Sequence, residues 1–155
     1  MRIGHGYDVH KLGSGALLVL GGVSIPHGNG LIGWSDADVL THAVIDALLG
    51  AAGLGDIGAH FPPGDPQYKD ISSLILLKHA GIMLKEQGYQ IGNIDATIVA
   101  EQPRLREHID KMRAAIAGAL TCGVDCVNIK ATTQEGLGFA GREEGIAAWA
   151  VALIE

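Results

Sequence analysis

Side chains alternate in character from Ile3 to His10, which predicts a strand with Ile3, His5, Tyr7 and Val9 on one face and Gly4, Gly6, Asp8 and His10 on the other. Ala16–Leu20 and Val23–Ile25 flank Gly21 and Gly22, the pattern of a β-hairpin closed by a glycine turn. A glycine-rich loop containing Pro26, Asn29 and Gly33 comes next. Ser35 or Asp36 then caps a predicted helix over Ala37–Gly53, which Gly53 and Gly55 end. Asp56–Gln67 predicts a loop, because Pro62, Pro63, Gly64 and Pro66 break regular structure. A second helix is predicted over Ile71–Gln87, a strand over Ile94–Val99 and a third helix over Leu105–Leu120. Val127–Thr132 reads as a strand, Gln134–Gly145 as a glycine-rich loop, and Ile146–Ile154 as the final strand.

Helices mixed among strands with no internal repeat predict one domain over residues 1–155. Its class is α/β in the broad sense, an α+β fold with an open mixed sheet covered by helices on one side. The final strand, IAAWAVALI, is apolar at every position, so both of its faces call for burial. One helix layer covers only one of them. A second copy of the chain is the simplest cover for the other; a strand sandwiched within the monomer is the alternative.

Composition narrows the picture. At 48% hydrophobic but only 5% aromatic, the core must be built from Ala, Val, Leu and Ile. No apolar run approaches the roughly 20 residues that span a bilayer, and MRIGHGYDVH lacks the features of a signal peptide. A cytoplasmic protein with no membrane association is expected. A net charge of −6 argues against nucleic acid as a partner, yet leaves room for a small phosphorylated ligand. Cys122 and Cys126 read as ordinary thiols, with no disulfide expected.

Asp8 and His10 are two apart on the first strand and point to one side. His42 lies in the first helix, with Asp38 and Asp46 one turn before and after it. One carboxylate and two imidazoles suit a catalytic zinc ion with an open fourth position, and Asp46 is placed to orient His42 from behind. A hydrogen-bonded core network is the alternative. Lys130–Glu135 sets two hydroxyls and a carboxylate at a strand end, which suits phosphate oxygens and a hydrated Mg²⁺; a capped turn explains it equally. Arg142 is a candidate anion ligand if the last strand lies in an oligomer interface. His5, His27, His60, His79 and His108 belong to no such constellation.

With RIGHGYDVH, LGGVSIP, SDADVLTHAVIDALLGAAGLGDIG, NIDATIVAEQPR, NIKATTQEGLGF and GREEGIAAWAVALI in hand, the chain resembles the 2-C-methyl-D-erythritol 2,4-cyclodiphosphate synthases nearly from end to end. The resemblance implies a ferredoxin-like α+β fold whose sheets pack in a homotrimer, with sites between neighbouring subunits. It implies Zn²⁺ on Asp8, His10 and His42, and Mg²⁺ or Mn²⁺ on Glu135, with Asp8, His42, Thr133 and Glu135 as the catalytic set. For the methylerythritol phosphate end it implies Trp34, Ser35, Asp36, Asp38, Asp56, Ile57, Gly58, Phe61 and Asp65. For the cytidine diphosphate it implies Ala100, Gln102, Pro103, Arg104, Ala131, Thr132 and Thr133, with Phe139 and Arg142 also on the ligand side. Arg142 and Glu144 are implied to border a central cavity that can hold an isoprenoid diphosphate.

The implied reaction is attack of the 2-phosphate of 4-diphosphocytidyl-2-C-methyl-D-erythritol 2-phosphate on its own β-phosphorus, releasing CMP. A metal-dependent phosphohydrolase and a non-catalytic isoprenoid-diphosphate binding trimer are the alternatives. Four positions depart from the usual family pattern: Trp34 replaces His, Pro63 replaces Asp, Arg104 replaces Lys, and Gln134 replaces Thr or Asn. None is a proposed zinc ligand.

Overall fold

The computed structural model describes residues 1–155. The alternating start of the chain forms β1 (Arg2–Ser14), longer than its pattern predicts because its far end pairs with a strand that reads as loop. The hairpin is β2 (Leu18–Leu20) and β3 (Val23–Ile25), and the unforeseen strand is β4 (Asn29–Ile32). Only pairing with Lys11–Ser14 defines β4, a contact between segments that no local pattern reveals. Helix α1 (Val39–Ala52) starts two residues later than predicted, since Ala37 takes φ 57° and Asp38 becomes the N-cap. The predicted proline loop contains a one-turn helix, α2 (Ile57–His60), and a 3₁₀ turn at Pro66–Tyr68.

The rest follows in order as α3 (Ser73–Glu86), β5 (Ile91–Val99), α4 (Ile109–Leu120), β6 (Val127–Thr132), α5 (Gly138–Gly141) and β7 (Gly145–Ile154). A 3₁₀ turn at Arg106–His108 precedes α4, which therefore begins later than its pattern predicts. The main sheet has the order β4-β1-β7-β5-β6, antiparallel throughout except for the β5–β6 pair, which α4 connects. The mixed sheet and its helical cover match the expected class. Its long elements run βααβαββ along the chain.

The all-apolar last strand is covered on one face only. Ile146, Ala148, Ala150, Ala152 and Ile154 are buried beneath the helices, whereas Trp149 and Val151 are 37% and 42% exposed on the opposite face. Ile3, Tyr7 and Val9 of β1 are also exposed, and Tyr7 and Trp149, which face each other across the strands, have ring centroids 4.8 Å apart. Within the chain, only α5 reaches this side, where Phe139 and Ala140 cover Val99 and Ala147.

The covered face is closed by backbone contact. A Cβ on Gly4 would lie 1.9 Å from the Ala47 carbonyl oxygen, and one on Gly6 would lie 2.0 Å from that of Ala43. Alanines one turn apart on α1 thus rest directly on alternate glycines of β1, and Arg2 Nε donates to the Ala51 carbonyl at the helix's far end. Gly6→Ala is expected to destabilise the fold by about 1–3 kcal/mol or more, as overpacking of a tight contact does. Urea unfolding of the two proteins measures it, and an unchanged midpoint would refute the contact.

Candidate metal centre and the adjoining cavities

Beyond Gly4 and Gly6, the same face of β1 continues with Asp8 and His10, and α1 presents His42 to them. Asp8 Oδ2 lies 3.0 Å from Nδ1 of His10 and 3.0 Å from Nδ1 of His42. One ligand atom from each residue falls within 4.8 Å of the others. The His42–Asp8 contact is an aligned hydrogen bond. His10 Nδ1 is close but out of line, and this buried nitrogen has no hydrogen-bond partner at all. Buried polar atoms need partners, and a divalent metal between the two imidazoles and the carboxylate supplies this one. The donor set therefore fits the metal. Gly33 leaves room for the His10 ring, since a Cβ there would lie 2.9 Å from Nε2.

The acidic residues around His42 divide differently from expectation. Asp38 is fully buried, and its carboxylate accepts hydrogen bonds from Gly21 N at 2.9 Å, Gly22 N at 2.7 Å, Thr41 N at 3.0 Å and Thr41 Oγ1 at 2.7 Å. It caps α1 and ties down the hairpin turn, so no oxygen is left for substrate. Asp46 does not bond to His42; its Oδ1 accepts Ile57 N at 2.7 Å and holds α2 in place. Behind His42 stand two hydroxyls, Ser73 Oγ at 2.8 Å and Ser35 Oγ at 3.1 Å from Nε2. Ser73 escapes sequence reasoning. Its one local signal is the Ser72-Ser73 pair at a helix start, and nothing local says that this start lies under His42.

The expected site residues fall around two cavities. Trp34, Ser35, Ile57, Gly58 and Phe61 line one of about 220 Å³ with Asp8, His10 and His42, joined by Pro63, Tyr68 and Leu76. Asp56 caps α2 by accepting Ala59 N, and Asp65 caps the Pro66 turn while its carbonyl accepts Trp34 Nε1 at 2.9 Å; neither lines the cavity. Asp36 is likewise absent from the lining, its oxygens taken by Ser73. Ala100, Pro103, Arg104, Ala131, Thr132 and Thr133 line the second cavity, of about 580 Å³. Gln102 precedes Pro103 across a cis peptide bond and does not line it. Phe139 packs against Val99 and Ala147, away from both cavities. Arg142 lies on the surface, bonded through Nε and Nη2 to Glu144 at 2.9 and 3.2 Å. Glu135 sits in the turn after β6 at φ 54°, exposed and apart from the metal cluster. Glu101, another residue that the sequence leaves unremarked, accepts Gln134 N at 3.2 Å and steadies that turn.

Burial raises the Asp8 pKa, but the imidazoles of His10 and His42 beside it outweigh that and draw the group down to about 2. Burial lowers the His42 pKa, but Asp8 outweighs it and the net shift is upward. In the metal-free protein the pair stabilises the fold fully only between the ordinary values of 3.8 and 6.5. Asp8's share fades as pH falls towards about 2, and His42's share fades as pH rises through its raised value. Metal must displace the His42 proton, so its affinity should fall about tenfold per pH unit once pH drops below that raised value. Chelator-competition titrations with Zn²⁺ between about pH 5 and pH 8 test this; a flat profile would contradict it.

The sequence pattern of the YgbB family matches residues 1–155. The chain is 63% identical to 2-C-methyl-D-erythritol 2,4-cyclodiphosphate synthase of Dehalococcoides mccartyi, over 100% of this chain and 99% of that protein. Its identity to the synthase of that name from Azotobacter vinelandii is 58%, over 99% of this chain and 98% of that one. Among solved structures it superposes on bifunctional IspDF from Campylobacter jejuni with a TM-score of 0.95 at 42% identity, covering 99% of this chain and 42% of that longer one. It superposes on IspF of Plasmodium falciparum in complex with CDP with a TM-score of 0.86 at 32% identity, covering 99% and 94%. A paired metal cleft and second cavity on this sheet, with such agreement from end to end, place one conclusion beyond the fold itself: the chain belongs to the YgbB family.

Proposed function

We propose that the protein converts 4-diphosphocytidyl-2-C-methyl-D-erythritol 2-phosphate into 2-C-methyl-D-erythritol 2,4-cyclodiphosphate and CMP. The observation that carries this is the convergence of Asp8, His10 and His42 beside a small cavity, in a chain 63% identical to a synthase of that name. An oxygen of the 2-phosphate attacks the β-phosphorus, the bond from that phosphorus to the bridging oxygen breaks, and CMP leaves with the electron pair. No side-chain nucleophile is required. Asp8, His10 and His42 would hold Zn²⁺ and Glu135 would hold Mg²⁺ or Mn²⁺, which when bound would supply polarisation of the phosphoryl group and neutralise charge on the leaving oxygen. The chain's own task is orientation. Trp34, Ser35, Ile57, Gly58 and Phe61 enclose the methylerythritol phosphate, Ala100, Pro103 and Arg104 receive the cytidine, and Thr132 and Thr133 offer hydroxyls to its phosphates.

The site is proposed to be completed between copies in a homotrimer. Val9, Ala147, Val99 and Thr132 lie in one row across four strands, so three spacings of about 4.8 Å separate the metal strand from the phosphate strand. A neighbouring copy brings its Thr133 and Glu135 to the metal instead. The exposed face of Ile3, Tyr7, Val9, Trp149 and Val151 supports this assembly. An isoprenoid diphosphate in its central cavity would have to draw Arg142 from Glu144. No helix is long and apolar enough to cross a membrane, which accords with a cytoplasmic enzyme.

Phosphorus NMR of the protein with this substrate, Mg²⁺ and Zn²⁺ tests the reaction. CMP and a cyclic diphosphate are expected, with His42→Ala slower on the order of a thousandfold. Open-chain phosphates would mean a hydrolase. Val151→Asp should turn the trimer into monomers in sedimentation and abolish turnover; a functional monomer would exclude a shared site.

A further inference from the structure

The metal reading of Asp8, His10 and His42 leaves open what holds the His42 ring in register. Its Nδ1 faces Asp8, and its Nε2 faces away, 2.8 Å from Ser73 Oγ. A neutral imidazole that gives Nδ1 to a metal carries its proton on Nε2. That N–H must therefore donate, and Ser73 Oγ is the nearer acceptor. The serine's own proton goes to Asp36 Oδ1 at 2.5 Å, while Ser73 N donates to Asp36 Oδ2 at 2.9 Å. One carboxylate thus grips the serine at two points. Ser73 is 0% exposed, so water cannot turn its hydroxyl round. Ser35 is a poorer candidate. Its Oγ lies 3.1 Å from Nε2 and also faces Ala37 N, with no carboxylate to fix its proton.

We infer that Ser73 is a positioning residue of the metal centre, relaying the Asp36 carboxylate onto His42 Nε2 and so holding Nδ1 towards the metal. Every proton in the chain has one direction: imidazole N–H to hydroxyl, hydroxyl to carboxylate. Asp36 consequently acts on the metal ligand through Ser73 and does not touch substrate. The relay also roots the first residue of α3 against the metal centre, so the segment leading from the Phe61 loop into α3 is anchored there.

Two readouts besides turnover test this. The first is Zn²⁺ affinity by chelator competition. Ser73→Ala and Asp36→Ala should each weaken it about 10–100-fold, the range for residues that orient a metal ligand. The double variant should be no weaker than the worse single one, since the two act in series. Ser72→Ala, whose side chain caps nothing, should leave the affinity unchanged. The second readout is ¹⁵N NMR of the histidine rings in the unmodified zinc-loaded protein, which needs no variant to fold. His42 should carry its proton on Nε2. Proton on Nδ1, or Zn²⁺ affinity in folded Ser73→Ala within twofold of the unmodified protein, would overturn the inference. Failure of the unmodified protein to bind Zn²⁺ would instead remove the metal reading, and the relay with it.

Discussion

Direct contact between α1 and the backbone of β1 is the constraint on which the rest of the molecule depends. Gly4 and Gly6 leave no side chain between strand and helix, and the carbonyls of Ala47 and Ala43 occupy the space where Cβ atoms would be. Close packing makes such a contact intolerant of even one methyl group. It sets the height of α1 above the sheet, and two residues further along the same strand face, glycine gives way to Asp8 and then His10. A helix held further out could not bring His42 Nδ1 within 3.0 Å of Asp8. The metal centre is therefore a product of strand periodicity and helix height together.

The carboxylates around this centre brace it, and few remain for ligands. Asp38 spends its oxygens on the hairpin turn and the first turn of α1, Asp36 on Ser73, and Asp46 on the start of α2. Apart from Asp38's bonds within the first turn of α1, each joins α1 or its leading loop to a different segment, so the metal cleft is framed on several sides by buried or half-buried acceptors. A buried carboxylate is costly unless its donors are in place, which makes this frame a cooperative unit.

The outer face follows another logic. Helices satisfy the inner face of β7, while Trp149 and Val151 look outward beside Tyr7 and Val9. Small side chains, mostly alanine, line the covered face, and large ones the uncovered face. This is the distribution expected when one face meets a helix at close range and the other meets a second sheet surface. Strands β7 and β5 lie between β1 and β6, so the turn after β6 and the Asp8–His10–His42 cluster of one chain are held apart by its own sheet.

Much of this was open to a reader of the sequence. Alternation placed Asp8 and His10 on the face of Gly4 and Gly6, helical spacing placed His42, and the extended motifs from SDADVLTH to NIKATTQEGLGF carried the family. The unbroken apolar run of β7 announced that its second face needed a partner. These features are local, or are written into patterns of period two and near four, and so need no knowledge of distant contacts. Other features could not be read this way. β4 exists only by pairing with the end of β1, Asp46 turns from His42 to Ile57, and Phe139 packs on Val99 instead of lining a cavity. Ser73 reaches His42 from 31 residues away. The sequence by itself determined which residues could ligate a metal and which faces would be apolar; tertiary structure decided which donors each buried carboxylate and imidazole would meet, because those partners come from segments far apart along the chain and hydrogen bonds form only where the packed backbone sets their atoms in line.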